Sequence, residues 1–299
     1  IGVQIKWMNG NDLEIRRPEK LDLDGLDAGA ARKTRSVLML IGPLLHDYNE
    51  FKIPYAGGCK LGTRTVEPHL FALEEFGVDI VAKSGYYRVT VDAKAPGEMV
   101  LYESGNTVTN NVLMAAARMT KETSVQAASG DYMVQDLCHF LRKLGVQIDG
   151  IGTPFLKIKG VEKIKKNVTF APSEDPIEAM FFLSAAVTTN SKITIERVPY
   201  RWIGLEILKL KKMGVKLKMS ESYKATNGIT DLCDVTGEKR HRPLTALPEK
   251  LHPNLYPGLN PDNLPYFVPI ASVCQGRTLI HDWMYENRAI YMTELNKMN

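Results

Sequence analysis

The sequence predicts an α/β fold built from a repeated unit, with apolar helices inside and strands outside. Two observations support this prediction: a helix-end motif recurs at nearly constant spacing, and an almost wholly apolar segment recurs between its copies. A length of 299 residues predicts about two domains, so the repeated units are expected to be divided between them.

The helix-end motif is Leu-x-x-apolar-Gly followed by a short apolar strand. It ends at Gly77, Gly145 and Gly214, and the chain opens on the tail of the same motif at Gly2. Asn299 holds the glycine position at the other end, so the marker spacings are 75, 68, 69 and 85 residues. The motif is typical of a helix that ends on a residue in the left-handed conformation. Its regular recurrence indicates a repeated structural unit.

Each unit also holds a segment that is apolar nearly all round, which is typical of a helix buried on every side. Alternating segments at 87–91 and 192–195 supply strands. The unit is therefore predicted to run strand, buried helix, strand, amphipathic helix, strand, strand. The predicted buried helices are 36–45, 111–119, 177–187 and 264–274.

This arrangement predicts where ligands bind. Helices that converge inward present their N-termini to a shared cleft, where free backbone N–H groups favour anions. The proline-containing break at 170–176 is predicted to be a hinge between two domains, and the proline-rich connection at 243–265 a surface loop.

Composition excludes several classes of function. With 44% hydrophobic and 24% charged residues the chain is globular, and its net charge of +4 suits small anions but is too small for nucleic acid. No apolar run approaches the roughly 20 residues that cross a bilayer, and no signal segment opens the chain. Four cysteines make no disulfide framework, and neither a CxxC pair nor an HExxH motif suggests a metal, so we expect a cytoplasmic protein without metal.

The loop at 54–69 is the most unusual stretch. A glycine pair precedes Cys59 and Gly62 follows it, so the thiol is predicted to be exposed on a loop of little regular structure. Lys60 and Arg64 favour its thiolate form. The residues alone leave two interpretations open, a proton donor or nucleophile and an exposed thiol without a role. The other cysteines are predicted to be structural: Cys138, Cys233 and Cys274.

Four motifs in this order resemble UDP-N-acetylglucosamine 1-carboxyvinyltransferase, the enolpyruvyl transferase of peptidoglycan synthesis, within the EPSP synthase superfamily. They are Thr34-Arg35-Ser36 with Gly42-Pro43-Leu44, the loop Gly57-Gly58-Cys59-x-x-Gly62-x-Arg64, the pair Pro261-Asp262, and Tyr285-Glu286-Asn287-Arg288. The resemblance spans essentially the whole chain. It implies an inside-out α/β barrel of βαβαββ units in two domains, here 1–172 with the catalytic loop and 173–299, both partial.

The resemblance also implies the reaction. The enolpyruvyl group of phosphoenolpyruvate passes to the 3-hydroxyl of UDP-N-acetylglucosamine by addition and elimination, with release of phosphate and without a cofactor. Cys59 is implied to be the proton donor to the methylene carbon, the possible site of a covalent adduct and the residue that fosfomycin alkylates. Asp262 is implied to be the base, and Arg35 and Arg64 the phosphate ligands.

The nucleotide-sugar side of the site is implied by the same resemblance. Thr65, Val66, Glu67 and Pro68 are expected to line the uridine end of the pocket, with Met284 near it. Ser104, Gly105, Asn106 and Thr107 align with a substrate-binding turn of the family but lack its lysine. Glu67 stands where the family has aspartate.

These departures leave the acceptor open. The alternatives are a paralogous enolpyruvyl transferase with another acceptor, such as a shikimate phosphate or a nucleoside, and a non-catalytic relative that acts as a binding or scaffold protein. The shikimate branch lacks the loop cysteine, which argues against it. The family's N-terminal lysine–asparagine pair lies outside these 299 residues, so the chain alone is expected to be impaired or inactive.

Overall fold

The computed structural model describes residues 1–57, 65–285 and 288–298. The strands are β1 (Gln4–Trp7), β2 (Leu13–Arg16), β3 (Glu50–Pro54), β4 (Val78–Lys83), β5 (Tyr86–Val91), β6 (Glu98–Val100), β7 (Thr123–Gln126), β8 (Gln147–Asp149), β9 (Phe155–Lys159), β10 (Ile193–Val198), β11 (Leu217–Met219), β12 (Tyr223–Lys224), β13 (Asp231–Gly237), β14 (Leu244–Thr245) and β15 (Cys274–Gln275). The α-helices are α1 (Ala28–Ala31), α2 (Ile41–Leu44), α3 (Glu67–Glu74), α4 (Asn106–Ala116), α5 (Tyr132–Leu144), α6 (Pro176–Thr188), α7 (Gly204–Lys212) and α8 (Phe267–Ser272), and 3₁₀ helices span Ser36–Leu40, Leu264–Tyr266 and Arg288–Met298. Over these residues, the search for membrane spans finds no helix with the length and apolar character needed to cross a bilayer.

The central unit has the predicted order in full. It runs β6, α4, β7, α5, β8, β9, and its strands form one sheet in the order β6-β7-β9-β8. β6 and β7 are parallel, as a helical crossover between them requires, whereas β9 is antiparallel to both of its neighbours. The flanking units form sheets in the orders β3-β5-β4 and β10-β13-β11. The predicted α/β fold of repeated βαβαββ units is confirmed.

The helix-end glycines adopt the predicted left-handed conformation. Gly77, Gly145 and Gly214 have φ of 78°, 106° and 98°, and Gly2 has φ of 78°. The Gly145 N–H bonds back to two carbonyls in the last turn of α5, which satisfies acceptors that a helix end leaves open. Strands β4, β8 and β11 begin one to three residues after these glycines. Asn299, the last marker, lies outside the described residues.

The helices pack inward and the strands face outward. α4 is the centre of the first half, where it contacts α2, α3 and α5. Strands such as β3 and β9 bury alternate side chains, with one face against the helices and the other toward solvent. This is the predicted layering.

Three of the predicted buried helices differ from their bounds. Segment 36–45 divides into the 3₁₀ helix Ser36–Leu40 and α2. α4 begins at Asn106, five residues before position 111, because its polar first turn faces an open cleft rather than the core. Segment 264–274 divides into a 3₁₀ turn and α8. Cys274 then pairs with Leu244 in the parallel ladder β14–β15, so its thiol is half-buried and not in the core as predicted.

The hydrophobic core divides into two clusters. One spans Ala31 to Ile158 and the other Ala179 to Ile270. Residues 160–175 between them form neither helix nor strand. Ser173 ties this connection to both halves: its Oγ lies 2.7 Å from Asp136 Oδ1 and 2.8 Å from Thr230 Oγ1. The domain boundary at 172/173 stays a prediction, in keeping with this division.

Candidate functional site

An open cleft of about 570 Å³ lies between the two halves. Its lining is polar and aromatic on both sides, which suits a charged ligand with ring systems. The residues of the first half are Arg35, Met39, Thr65, Glu103, Ser104, Gly105, Asn106, Thr107, Asn110, Ser129, Asp131, Tyr132 and Met133. Those of the second half are Trp202, Asn254, Leu255, Tyr256, Gly258, Asn260, Pro261, Asp262, Met284, Tyr285 and Arg288.

The first-half residues form one side of the cleft, here called the first wall, and the second-half residues form the second wall. The first wall carries a cation. Arg35 directly precedes the 3₁₀ helix Ser36–Leu40, and its Nη2 donates a hydrogen bond of 2.6 Å to the Thr65 carbonyl. That bond ties the start of one helical segment to the loop that leads into α3. The planar guanidinium presents its N–H donors as a fork, a geometry that suits bidentate contact with a phosphate or a carboxylate.

The N-terminus of α4 opens beside this cation. Gly105 occupies the cap position, where no side chain accepts a hydrogen bond from the first turn. The first N–H groups of a helix have no partner within it, so this end favours an anion. Ser104 Oγ donates to the Ala128 carbonyl at 3.1 Å, and Asn106 Oδ1 accepts from Ser129 Oγ at 2.6 Å. These bonds fix the turn against the segment that follows β7.

Buried polar groups support this wall from behind. Asn111 Nδ2 donates to the Leu38 carbonyl at 3.0 Å and to His69 Nδ1 at 3.3 Å, while Asn111 Oδ1 accepts from the Gly42 N–H at 2.9 Å. With Nδ1 accepting, a neutral His69 ring carries its proton on Nε2, which lies 3.2 Å from Thr107 Oγ1. Burial and, less strongly, the charge of Arg35 lower the pKa of His69 to about 4.

The second wall carries a carboxylate held by a buried cation. Asp262 forms an ion pair with Arg288, and Arg288 Nη2 also donates to the Pro261 carbonyl at 3.0 Å. The guanidinium is stacked on the Tyr285 ring, 5.3 Å from its centroid, and its Nε lies 3.7 Å from Asp282 Oδ2. The Arg288 side chain is 10% exposed and that of Asp262 is 48% exposed, so the cation is fixed and the carboxylate faces the cleft.

A second carboxyl faces the cleft at the start of α5. Asp131 caps that helix by accepting a hydrogen bond of 3.1 Å from the Met133 N–H. Burial raises the pKa of Asp131, and the negative charge of Asp262 adds to the effect. Asp131 therefore holds a proton more readily than an exposed aspartate does.

Aromatic rings from both halves form the remaining wall. The Trp202 ring centroid lies 6.1 Å from that of Tyr132 and 5.4 Å from that of Tyr256. The buried Trp202 indole N–H has no hydrogen-bond partner among the described residues. This group of rings joins the two halves where they meet.

The structure brings most of the sequence-predicted residues together. Arg35, Thr65, Ser104, Gly105, Asn106, Thr107, Asp262 and Met284 all line the cleft. Val66, Glu67 and Pro68 are not among the lining residues, because they lead into or begin α3: Pro68 is buried and Glu67 faces solvent. Cys59 and Arg64 lie outside the described residues. The functional roles of all the residues named in this paragraph stay predictions.

Several residues that line the cleft were not predicted from the sequence to have a functional role. Arg288 stands within the Tyr-Glu-Asn-Arg motif, which was the available signal, but no role was assigned to it. Asp131, Trp202 and Tyr256 belong to no motif. Across residues 1–57, 65–285 and 288–298, no group of three or more His, Cys, Asp or Glu side chains is arranged to hold a metal ion.

Solved structures match the fold. The enolpyruvyl transferase NikO from Streptomyces tendae superimposes with a TM-score of 0.76 over 99% of this chain and 67% of its own, at 19% identity. EPSP synthase from Acinetobacter baumannii gives a TM-score of 0.67 over 98% of this chain and 66% of its own, at 21% identity. At these identities the likeness establishes the architecture alone.

Sequence relatives are closer. UDP-N-acetylglucosamine 1-carboxyvinyltransferase from Campylobacter hominis is 31% identical over 100% of this chain and 68% of its own length, and the Helicobacter pylori (strain HPAG1) protein of that name is 30% identical with the same coverage. The chain thus spans about two thirds of the length of these relatives. The profile described as EPSP synthase (3-phosphoshikimate 1-carboxyvinyltransferase) matches residues 4–299. The chain therefore belongs to the EPSP synthase family of enolpyruvyl, or carboxyvinyl, transferases.

Proposed function

We propose that the protein transfers the enolpyruvyl group of phosphoenolpyruvate to the 3-hydroxyl of UDP-N-acetylglucosamine, the committed step of peptidoglycan synthesis. One observation carries the proposal: the Arg35 cation, the open N-terminus of α4 and the Asp262 carboxylate face one cleft. The relatives of that name, near 30% identical along the whole chain, support the choice of acceptor. We expect the reaction in the cytoplasm.

The first wall suits the phosphate of phosphoenolpyruvate. Arg35 supplies a guanidinium anchored to the Thr65 carbonyl, and α4 supplies first-turn N–H groups. By resemblance, Arg64 is a second cation on the same phosphate. Fixed donors of this kind stabilise the negative charge that builds up as phosphate departs.

The second wall suits proton removal from the acceptor. Asp262 accepts the proton of the sugar hydroxyl while the hydroxyl oxygen attacks the phosphate-bearing carbon. By resemblance, Cys59 delivers a proton to the methylene carbon in the same addition. In the elimination that follows, the new methyl group loses a proton, the carbon–phosphate oxygen bond breaks, and phosphate leaves. Arg288 fixes the Asp262 carboxylate in orientation throughout.

The remaining predicted residues are assigned to the nucleotide sugar. We assign Thr65 and Met284, which line the cleft, to its uridine end, and Ser104 to Thr107 to the turn that contacts it. For Val66, Glu67 and Pro68, which do not line the cleft, a place at the uridine end rests on the resemblance alone. Domains 1–172 and 173–299 would each contribute one wall, so closure of the cleft would assemble the site.

Phosphate release tests the proposal. Phosphoenolpyruvate is incubated with the full-length protein in three reactions: without an acceptor, with UDP-N-acetylglucosamine and with 3-phosphoshikimate. Release that depends on UDP-N-acetylglucosamine is expected. Release only with 3-phosphoshikimate would identify the other branch of the family. Binding of UDP-N-acetylglucosamine without any phosphate release would favour a non-catalytic relative.

Labelling tests the role of Cys59. Fosfomycin is expected to give one adduct, on Cys59, and faster in the presence of nucleotide sugar. The described cysteines offer a built-in control, because Cys138 and Cys233 are buried and burial raises the pKa of Cys138 to about 12. Cys59→Asp is expected to resist the drug with some turnover retained. Equal labelling of all four thiols, mapped by mass spectrometry, would remove the special role of Cys59.

A further inference from the structure

A wholly buried carboxyl group lies beneath the cleft segment that carries Asp262. Glu206, in α7, is 0% exposed. Its Oε1 accepts hydrogen bonds from the Asn260 backbone N–H at 3.1 Å and from Asn263 Nδ2 at 2.9 Å. A carboxylate removed from water in this way, with no ion pair among the residues that the structure describes, is strongly disfavoured.

The pairing leaves two oxygens without a donor. Glu206 Oε2 and Asn263 Oδ1 are both buried and have no hydrogen-bond partner in the described part of the chain. With an ionised carboxyl both atoms are acceptors only, whereas a proton on Glu206 makes Oε2 a donor. A neutral carboxyl and a carboxamide can then pair through two hydrogen bonds, one in each direction. Burial raises the pKa of Glu206, more than the bonds from Asn263 and Asn260 and the Lys209 charge lower it.

The same segment leads to the cleft carboxylate. Asn260 Oδ1 accepts from the Asp262 N–H at 2.8 Å, and the Asn260 carbonyl accepts from the Asn263 N–H at 3.0 Å. Residues 260–263 thus form one tight turn with Glu206 bonded to both of its ends. Arg288 holds the side of this turn that faces the cleft.

We propose that Glu206 is a positioning residue that, as a neutral acid paired with the Asn263 amide, holds residues 260–263 and so sets the place of the Asp262 carboxylate. The importance of the Asp262 position for catalysis rests on the proposed function. The pairing of Glu206 with Asn263, and its effect on residues 260–263, are properties of the fold alone.

Hydrogen exchange tests, without an activity assay, whether Glu206 keeps residues 260–263 in place. Glu206→Gln reproduces the neutral acid, because its carbonyl accepts both bonds and its amide can donate to Asn263 Oδ1. Glu206→Ala leaves both donors of the turn unpaired. In the 299-residue chain, exchange in peptides covering 255–266 is expected to be at least about tenfold faster in the alanine variant and unchanged in the glutamine variant. The exposed Glu196→Gln is the matched control, with no expected change.

Two outcomes of that experiment would overturn the proposal. Unchanged exchange in Glu206→Ala would mean that the carboxyl holds nothing. Exchange in Glu206→Gln as fast as in Glu206→Ala would mean that a charge, not a neutral acid, is required. If the alanine variant fails to fold, the glutamine variant and its pH profile still decide.

The pH dependence of unfolding tests whether Glu206 carries a proton in the folded protein. An acid with a raised pKa in the folded state stabilises most below its unfolded pKa, near 4.3, and loses that contribution as pH rises to the folded pKa. The unfolding equilibrium constant of wild type relative to Glu206→Gln should rise about tenfold per pH unit across that window. The other charged groups facing this site, Lys209 on α7 and the Asp262–Arg288 pair, are shared by both proteins. A pH-independent ratio would overturn the neutral acid.

Steady-state kinetics test whether the positioning of residues 260–263 by Glu206 affects the reaction. Glu206→Ala is expected to lower kcat by up to about 10²-fold, as displacement of a reacting group does, with the KM for phosphoenolpyruvate within about twofold. Glu206→Gln should restore kcat. An unchanged kcat in the alanine variant would overturn the positioning role while the proposed function stands. Absence of activity in the full-length wild-type protein would instead reject the proposed function and leave the exchange and pH results to decide on Glu206.

Discussion

Helices α4 and α6 are the first helices of neighbouring repeats, yet their N-termini differ in one decisive respect. α4 starts at Gly105, whose cap position offers no side-chain acceptor. α6 starts at Asp175, which accepts from the Ile177 and Glu178 N–H groups at 2.8 and 3.3 Å. The first helix leaves its positive end open to the cleft, and the second neutralises its own.

The difference separates a ligand-binding copy of the repeat from a structural one. Both helices are buried and both pack within the same βαβαββ order, so the fold demands neither start. A helix with glycine at the cap position gives up about a few tenths of a kcal/mol of stability relative to one capped by aspartate. The unit that accepts this loss is the one that lines the cleft. Across that cleft, the lining residues of the second half come from Trp202, the connection at 254–262 and the segment at 284–288, and no residue of α6 is among them.

The largest expected effect is at the second wall. Asp262→Ala should lower kcat for phosphoenolpyruvate-dependent phosphate release by about 10²–10⁴-fold, because it removes the proposed base. The measurement is steady-state phosphate release, with Asp149→Ala as an exposed-carboxylate control that should have no effect. A loss below tenfold would move the base to another residue and end the assignment of the two walls.

The next effect concerns the support of α4. The pKa of His69 is about 4 when folded and near 6.5 when unfolded, so the unfolded chain takes up a proton that the folded chain excludes. Stability is therefore full above pH 6.5 and is lost as pH falls toward 4, by roughly 3 kcal/mol. Urea unfolding across this range should show a smaller loss in His69→Gln than in wild type, and an unaltered loss in the exposed His241→Gln. Equal pH profiles for all three proteins would contradict a buried neutral imidazole behind the cleft.

A smaller effect exchanges the two caps. Gly105→Asp gives α4 the cap that α6 has, and an added Cβ meets only the flexible end of Glu103, at 2.7 Å. The new carboxylate should weaken phosphoenolpyruvate binding by roughly tenfold without loss of stability. Calorimetric titration measures it, and Gly105→Asn, a neutral cap, separates charge from occupancy. Binding unchanged in both variants would show that the open helix end contributes nothing.

The smallest effect completes the exchange. Asp175→Ala should cost about 1 kcal/mol in the free energy of unfolding, since two first-turn N–H groups lose their acceptor. Ligand affinity should stay within about twofold. If affinity fell as far as in Gly105→Asp, the separation between a binding and a structural repeat would be wrong.

Local signals predicted the fold, whereas the second wall of the cleft depends on the folded chain. The positive φ of Gly77, Gly145 and Gly214 follows from a motif a few residues long, because a left-handed helix end is a local requirement. The turn at 260–263 lies inside a connection that the sequence predicts only as a surface loop. Its partners are Glu206 and Arg288, 54 and 26 residues from the atoms they bind, and no periodicity relates them.

The candidate site divides in the same way. Arg35 and Asp262 were predicted from motif resemblance, and the fold brings them to one cleft. Trp202 and Tyr256 were missed because a lone aromatic residue is more often core or surface than site. Glu206 was missed because a charged residue in an amphipathic helix is expected to face solvent, and only tertiary packing buried it.

The contact between Gly42 and Asn111 has a consequence for the thermodynamics of binding. A Cβ at position 42 would lie 2.5 Å from two Asn111 oxygens, so the helical segment after Arg35 and the α4 helix can meet only through glycine. The two helices are thereby locked at one separation, and Arg35 and Thr107 are carried at their ends. The conformational entropy of arranging these groups is lost when the chain folds rather than when an anion arrives. We therefore expect anion binding at this wall with little entropic penalty from the protein, and any larger residue at position 42 to weaken it from a distance.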